Sequence, residues 1–186
     1  METIADIKKT YDWLGTKGYG NGFHAKNHLQ FLKLLKINSI LDVGTGAGQF
    51  CDWAKTELCD TVYGLDISIN PKPEFEKKDI KFLKGVSHDI PLPDKSVDMT
   101  TSFDFLEHVH PDFIDKTISE MIRVTRKCMF HTINTNPSAS HRKQVGELHL
   151  IQEHKKKWWI PKFESLLNNP KPRDVANVHG GILVIL

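Results

Sequence analysis

A chain of 186 residues, 39% hydrophobic and 26% charged, has the length for one domain with its own core and the composition of an ordinary globular protein. Its formal net charge of +2 is too small to mark a polyanion partner. No apolar run approaches the ~18 residues of a membrane span, and METIADIKKTYDW has no signal-peptide core, so a soluble cytoplasmic protein is expected.

In chain order, residues 2–14 predict a short helix, broken at Tyr19-Gly20-Asn21-Gly22. His24 to Lys36 carries Leu29, Leu32 and Leu35 at helical spacing. A strand is expected at 39–43, a helix from about 47 to 57, and a strand at 61–66. After the Pro- and Lys-rich NPKPEFEKKD come strands at 80–83 and from Val97 to Thr101, then a helix from about 112 to 125. Lys127 to Ile133 reads as a strand, Asn134 to His149 as a long polar loop, and 154–168 as a helix. The end predicts a hairpin: Val175 to Val178, a His179-Gly180-Gly181 turn, then Ile182 to Leu186. ILVIL is apolar throughout, as in a strand covered on both faces, and its partner after Pro170 and Pro172 suits an edge. Strands alternating with helices, without repeat or linker, indicate a parallel sheet in a single domain over 1–186. Cys51, Cys59 and Cys128 lack metal-type spacing and read as free thiols of a reducing compartment.

Within SILDVGTGAGQFCDWA, residues 39–54, an apolar run falls into Gly44, Gly46 and Gly48 before a helical pattern begins. Strand, glycine-rich turn and helix aim free backbone N–H groups at a ligand. Glycine stands where a Cβ would collide or where φ must be positive. A dinucleotide site is written G-x-G-x-x-G. The position of its last glycine is Gln49 here, which weighs against an NAD-dependent dehydrogenase. Asp66, about 20 residues on at the end of the next strand, is placed to accept both hydroxyls of a ribose. Turn and carboxylate together point to an adenosine group.

LDVGTGAG, VYGLDIS, HDIPLPDKSVD, SFDFLEHV and ISEMIRVTR follow one another over roughly residues 24–133. Their order and spacing resemble the motifs of the class I S-adenosylmethionine-dependent methyltransferases, of the small, methyltransferase type 11 kind. The resemblance implies a Rossmann-like three-layer α/β sandwich. Its mostly parallel seven-stranded sheet would have an antiparallel C-terminal strand beside the fifth. The implied cofactor is S-adenosyl-L-methionine and the product S-adenosyl-L-homocysteine. Carried onto this chain, Asp42, Gly44, Thr45 and Gly46 would hold the methionine end. Asp66 would bind the ribose and Ile67 would lie against the adenine. In His88-Asp89-Ile90 the carboxylate would meet the adenine amino group. Ser102 and Phe103, just past the fourth strand, would lie beside the sulfonium.

Methyl transfer is an in-line displacement on a carbon activated by positive sulfur, so the protein mainly positions the nucleophile. A base is needed only where the acceptor carries its proton. Among ten histidines, the catalytic candidates are His149, which closes the long loop, and His108 in FLEHVHPDF. His131 and Asn134 stand at the end of the fifth strand, the edge where open α/β sheets bind ligands. Glu107, His108, His110, Glu153 and His154 lack metal-type spacing, so no metal is expected unless they converge in space. HKKKWW reads as solvated lysines beside tryptophans turned inward. No N/D-P-P-Y/F/W motif follows the fourth strand, which argues against methylation of a nucleic-acid base. Residues 1–23 are expected to form an N-terminal lid and 134–149 an acceptor-side loop. Tyr11, Tyr19, His141, Arg142 and His149 would there bind a small-molecule or glycan-like acceptor through an O- or N-nucleophile. A catalytically silent, partner-supporting protein that binds S-adenosylmethionine would carry the same cofactor motifs.

Overall fold

The computed structural model describes residues 3–69, 71, 73–76, 78–138, 142–167 and 174–186. Its strands are β1 (Ser39–Val43), β2 (Thr61–Asp66), β3 (Lys81–Lys84), β4 (Val97–Phe103), β5 (Thr125–Thr132), β6 (Val175–Val178) and β7 (Gly181–Ile185). They form one sheet in the order β3-β2-β1-β4-β5-β7-β6. β1 to β5 pair in parallel, and β7 runs antiparallel between β5 and β6. This is the mixed seven-stranded sheet that the resemblance implied. The strand order reverses between β1 and β4, and the crevice beyond their C-terminal ends is where such sheets bind ligands.

The helices are α1 (Ile4–Thr16), α2 (Leu29–Lys33), α3 (Gln49–Glu57), α4 (Pro73–Glu76), α5 (Ile114–Val124), α6 (Arg142–Val145) and α7 (Ile160–Leu166). Alternate residues of β1 divide between two cores. Leu41 and Val43 pack with Ile118 and Met121 of α5 and Phe163 of α7. Ile40 packs with Leu32 of α2 and Phe50, Cys51 and Ala54 of α3. The sheet is therefore covered on both faces, which explains its near-continuous apolar strands. Among the described residues no helix is long and apolar enough to cross a membrane.

Several bounds differ from the sequence expectation, and α4 and α6 stand where loops are expected. The helix expected from His24 to Lys36 is a 3-10 turn, His24–Asn27, and then α2. The break buries His28, whose ring lies 5.2 Å from Phe130 and 6.4 Å from Phe103. β4 runs on through Phe103, so Ser102 and Phe103 lie within the strand rather than past it. The 112–125 helix opens with a 3-10 turn headed by Pro111 and ends at Val124, where β5 follows at once. The 154–168 helix is a π-turn, Lys155–Trp159, leading into α7, with Pro161 unable to donate at the junction. Its expected last residue, and Pro170 and Pro172, lie outside the described residues.

Arg123 ties α5 to the 90–94 turn. Its guanidinium donates to the Ile90 and Leu92 carbonyls at 2.9 Å and to the Asp94 and Glu120 carboxylates at 2.7 Å. The Arg123 bonds, with a further bond from the Ile90 amide, hold the buried Glu120 carboxyl down at about 2. A carboxyl depressed in the folded state adds stability above about pH 4.5 that is lost as pH falls toward 2. Arg123→Met should lower stability by about 3 kcal/mol at neutral pH, because Glu120 is left buried without its partner. Urea melts at neutral and acid pH check this, the gap between variant and parent narrowing in acid.

Candidate functional site

β1 ends at Val43 and the chain turns at once through the glycines. At Gly44, where φ is +76°, a Cβ would collide with the Phe105 ring. The motif led to an expectation of free amides here, and the structure corrects it. Gly44 and Thr45 donate to the Leu65 carbonyl at 2.8 and 3.2 Å, and Gly48 donates to the Thr45 carbonyl at 3.0 Å. Ala47 donates to the Gly20 carbonyl at 3.3 Å, and Gly46 to Asp66 Oδ2 at 2.9 Å. The turn's amides are used within the protein. Its glycines contribute bare backbone, which permits close approach.

Beside the turn opens a cavity of about 760 Å³, within the ~300–1,000 Å³ of small-molecule sites. Asp42, Thr45 and the Gly44 and Gly46 backbones line one end, Asp66 and Ile67 the next stretch, and His88 a further wall. The Asp42 carboxyl is buried, which raises it to about 7, and Oδ1 accepts from Thr101 at 3.0 Å. Asp66 is also raised by burial, against the pull of the Ser68 and Gly46 amides, which donate to Oδ1 and Oδ2 at 2.9 Å each. Ser68 in turn donates its hydroxyl to Asp12 of α1 at 2.6 Å. His88 stacks flat on Phe113, ring centres 4.4 Å apart and planes 11° from parallel.

Phe103 lines the cavity, but three expected residues do not. Ile90 is buried in the core, where its backbone binds Glu120 and Arg123. That anchorage accompanies an Asp89 turned outward and exposed. Ser102 is fully buried because β4 continues past it, and its hydroxyl meets His131 Nδ1 at 2.8 Å. His131 itself stacks on Phe163 away from the cavity, and burial lowers it to about 3.

The N-terminal segment lies against the glycine turn and also lines the cavity. Gln49 Nε2 donates to the Asn21 carbonyl at 2.8 Å, beside the Ala47–Gly20 bond. Tyr11, Tyr19 and His108 bring their rings within 6.1–6.3 Å of one another. Burial, helped by Glu107 and Asp104, pushes the Tyr19 phenol up to about 12, and its hydroxyl lies 3.4 Å from His108 Nε2. His108 is lowered to about 4 by burial and then by neighbouring His149. The two imidazoles meet edge to face, 4.7 Å between centres. Asn134 and His149 also line the cavity, so the 134–149 segment borders it. His141 lies outside the described residues, as does the Arg142 side chain. Sequence reasoning missed Asp104 and Phe105 in the lining. Asp104 adopts φ +51° and takes a hydrogen bond from His24 Nδ1 at 3.2 Å, a conformation that nothing in TSFDFLE announces.

A family model described as a methyltransferase domain matches residues 41–128. No curated protein matches the chain. Among solved structures, a proposed methyltransferase of Haloferax volcanii, in complex with the Trm112 methyltransferase activator, superposes with a TM-score of 0.62. The two are 16% identical, over 94% of this chain and 96% of that one. A proposed methyltransferase of Bacillus halodurans gives 0.59 at 18% identity, over 77% and 68%. The [4+2]-cyclase SpnF gives 0.62 at 15%, over 88% and 72%. At such identities these likenesses establish the fold.

Proposed function

We propose that this chain, whose residues 41–128 match a methyltransferase domain, is a class I S-adenosylmethionine-dependent methyltransferase that methylates a small or medium-sized acceptor from S-adenosyl-L-methionine held in the cavity. The observation that carries this reading is Asp66. Its carboxylate lines the cavity at the end of β2 and is fixed by two backbone amides, with lone pairs left over for ribose hydroxyls. The Gly44–Gly48 backbone admits the methionine end beside Asp42, whose ionised form favours a cationic group. Ile67 and the His88–Phe113 stack offer walls to the adenine. The cofactor supplies a methyl carbon activated by positive sulfur, and the protein's task is alignment. A cytoplasmic setting suits the free thiols of Cys51, Cys59 and Cys128.

Tyr19, His108 and His149 face the acceptor end. His149 Nδ1 donates to the Asn136 carbonyl, so Nε2 is the nitrogen left to take a proton from an acceptor hydroxyl. His149→Ala should lower turnover about 100-fold while leaving affinity for S-adenosyl-L-homocysteine nearly unchanged. Steady-state kinetics beside calorimetry check this, and normal turnover would make His149 structural. The proposed activity is tested by incubating the protein with S-adenosyl-L-methionine and a panel of hydroxylated, carboxylated and amino metabolites. Acceptor-dependent release of S-adenosyl-L-homocysteine is expected. Cofactor binding without release across the panel favours the partner-supporting alternative, for which the Haloferax volcanii complex is a precedent.

A further inference from the structure

We infer that Glu107, His108 and His149 form a binding site for one divalent transition-metal ion, with its open positions toward the cavity. One ligand atom from each residue lies within 4.8 Å of the others. Two imidazoles and a carboxylate are the donor set of metal sites that keep positions open for a substrate oxygen. That set suits Zn²⁺, Fe²⁺, Co²⁺ or Ni²⁺ rather than Mg²⁺ or Ca²⁺, which take oxygen shells.

The side chains are already oriented for this. His108 Nδ1 donates to the Leu148 carbonyl at 2.9 Å, and His149 Nδ1 to the Asn136 carbonyl at 2.5 Å. A carbonyl can only accept, so both N–H groups are on Nδ1 and both lone pairs on Nε2. Such a partner on the far nitrogen is what fixes a metal-ligating imidazole. Glu107 Oε1 accepts from the Asn134 amide at 2.8 Å, and the Glu107 carbonyl accepts from the Ile151 amide at 3.1 Å. The second bond ties the carboxylate's own backbone to the stretch that carries His149. Tyr19 meets His108 Nε2 at 3.4 Å, long for a hydrogen bond, so an ion displaces it at little cost.

Bonds of about 2.0–2.2 Å put neighbouring ligand atoms about 3.4 Å apart, so loading draws the three together by about an ångström. His149 stands on a stretch without regular secondary structure, which can make that move. Residues 107, 108 and 149 match no linear motif, and only folding brings them together. The ion's open positions would meet a hydroxyl or carboxylate oxygen of the acceptor. That extension alone rests on the methyltransferase reading. In the metal-bound state the imidazole lone pairs lie on the ion, and the acceptor meets the ion instead.

Titration of the metal-free protein with Co²⁺ tests the site. A saturable visible absorption is expected at one ion per chain, displaced by Zn²⁺. His149→Gln and Glu107→Gln should each weaken it by roughly tenfold or more, with circular dichroism reporting folding. If Glu107→Gln does not fold, His149→Gln, on a stretch without regular secondary structure, decides. No saturable binding by the folded parent, or one-ion binding unchanged in folded His149→Gln, overturns the inference. Calorimetry with S-adenosyl-L-homocysteine on the same samples reports the cofactor reading separately, so failure of either is recognised on its own.

Discussion

Gly46→Val should abolish binding of S-adenosyl-L-homocysteine. Gly46 holds φ at +55°, in the left-handed region that a β-branched residue does not adopt without strain. An added Cβ would stand 2.8 Å from the Gly20 carbonyl oxygen and 3.2 Å from its Cα. That neighbour is backbone, and it is held by the Ala47 amide. By the resemblance Gly46 lies at the cofactor's methionine end, and a side chain there would enter that space. In the structure it meets the N-terminal segment first. The substitution therefore separates the 18–22 turn from the glycine loop and pulls the Gly46 amide from Asp66. With strain of about 1–3 kcal/mol at the residue itself added to these losses, affinity should fall below what calorimetry detects. Circular dichroism should still show a folded sheet, since Gly46 lies outside both cores. Binding within a few-fold of the parent would contradict this account of the turn.

Asp66→Ala should weaken the same ligand by about tenfold to a hundredfold. A charge-assisted hydrogen bond contributes about 1.5–3 kcal/mol, and Asp66 is the carboxylate proposed to take the ribose hydroxyls. The variant also releases the Gly46 and Ser68 amides, so part of the loss comes from a turn no longer held in place. Asp66→Asn separates the two contributions. It keeps one acceptor oxygen for an amide or a hydroxyl, and should fall between parent and alanine. Unchanged affinity in Asp66→Ala would put the ribose elsewhere.

The fold was legible where strands are covered on both faces. SILDV and TVYGLD read as strands with the boundaries they have, because apolar runs flanked by turns leave little choice. ILVIL, with every position apolar, belonged between two strands and is found there. Tertiary burial decided what local pattern did not. His28 interrupts an otherwise helical stretch to reach Phe130. Ser102 faces His131 because β4 is longer than its pattern suggested. Gly44, Gly46 and Asp66, singled out by spacing alone, line the cavity. The internal acceptors that occupy the turn's amides come from Gly20 and Leu65, distant in sequence. Asp89, expected at the adenine, is exposed and outside the cavity lining, and its neighbour Ile90 is anchored by Glu120 and Arg123. Glu107, His108 and His149 converge only when the 146–151 stretch folds back, through the Ile151–Glu107 bond, onto the segment after β4.

The sheet alone does not choose the chemistry, since a [4+2]-cyclase shares it. The central claim is that the glycine turn and Asp66 hold a sulfur nucleoside rather than a dinucleotide. Isothermal calorimetry of the parent protein against S-adenosyl-L-homocysteine and NAD tests it most directly. One S-adenosyl-L-homocysteine per chain at micromolar affinity, with NAD far weaker, is the predicted result. NAD binding as tightly or more tightly, or no binding of S-adenosyl-L-homocysteine, would contradict it.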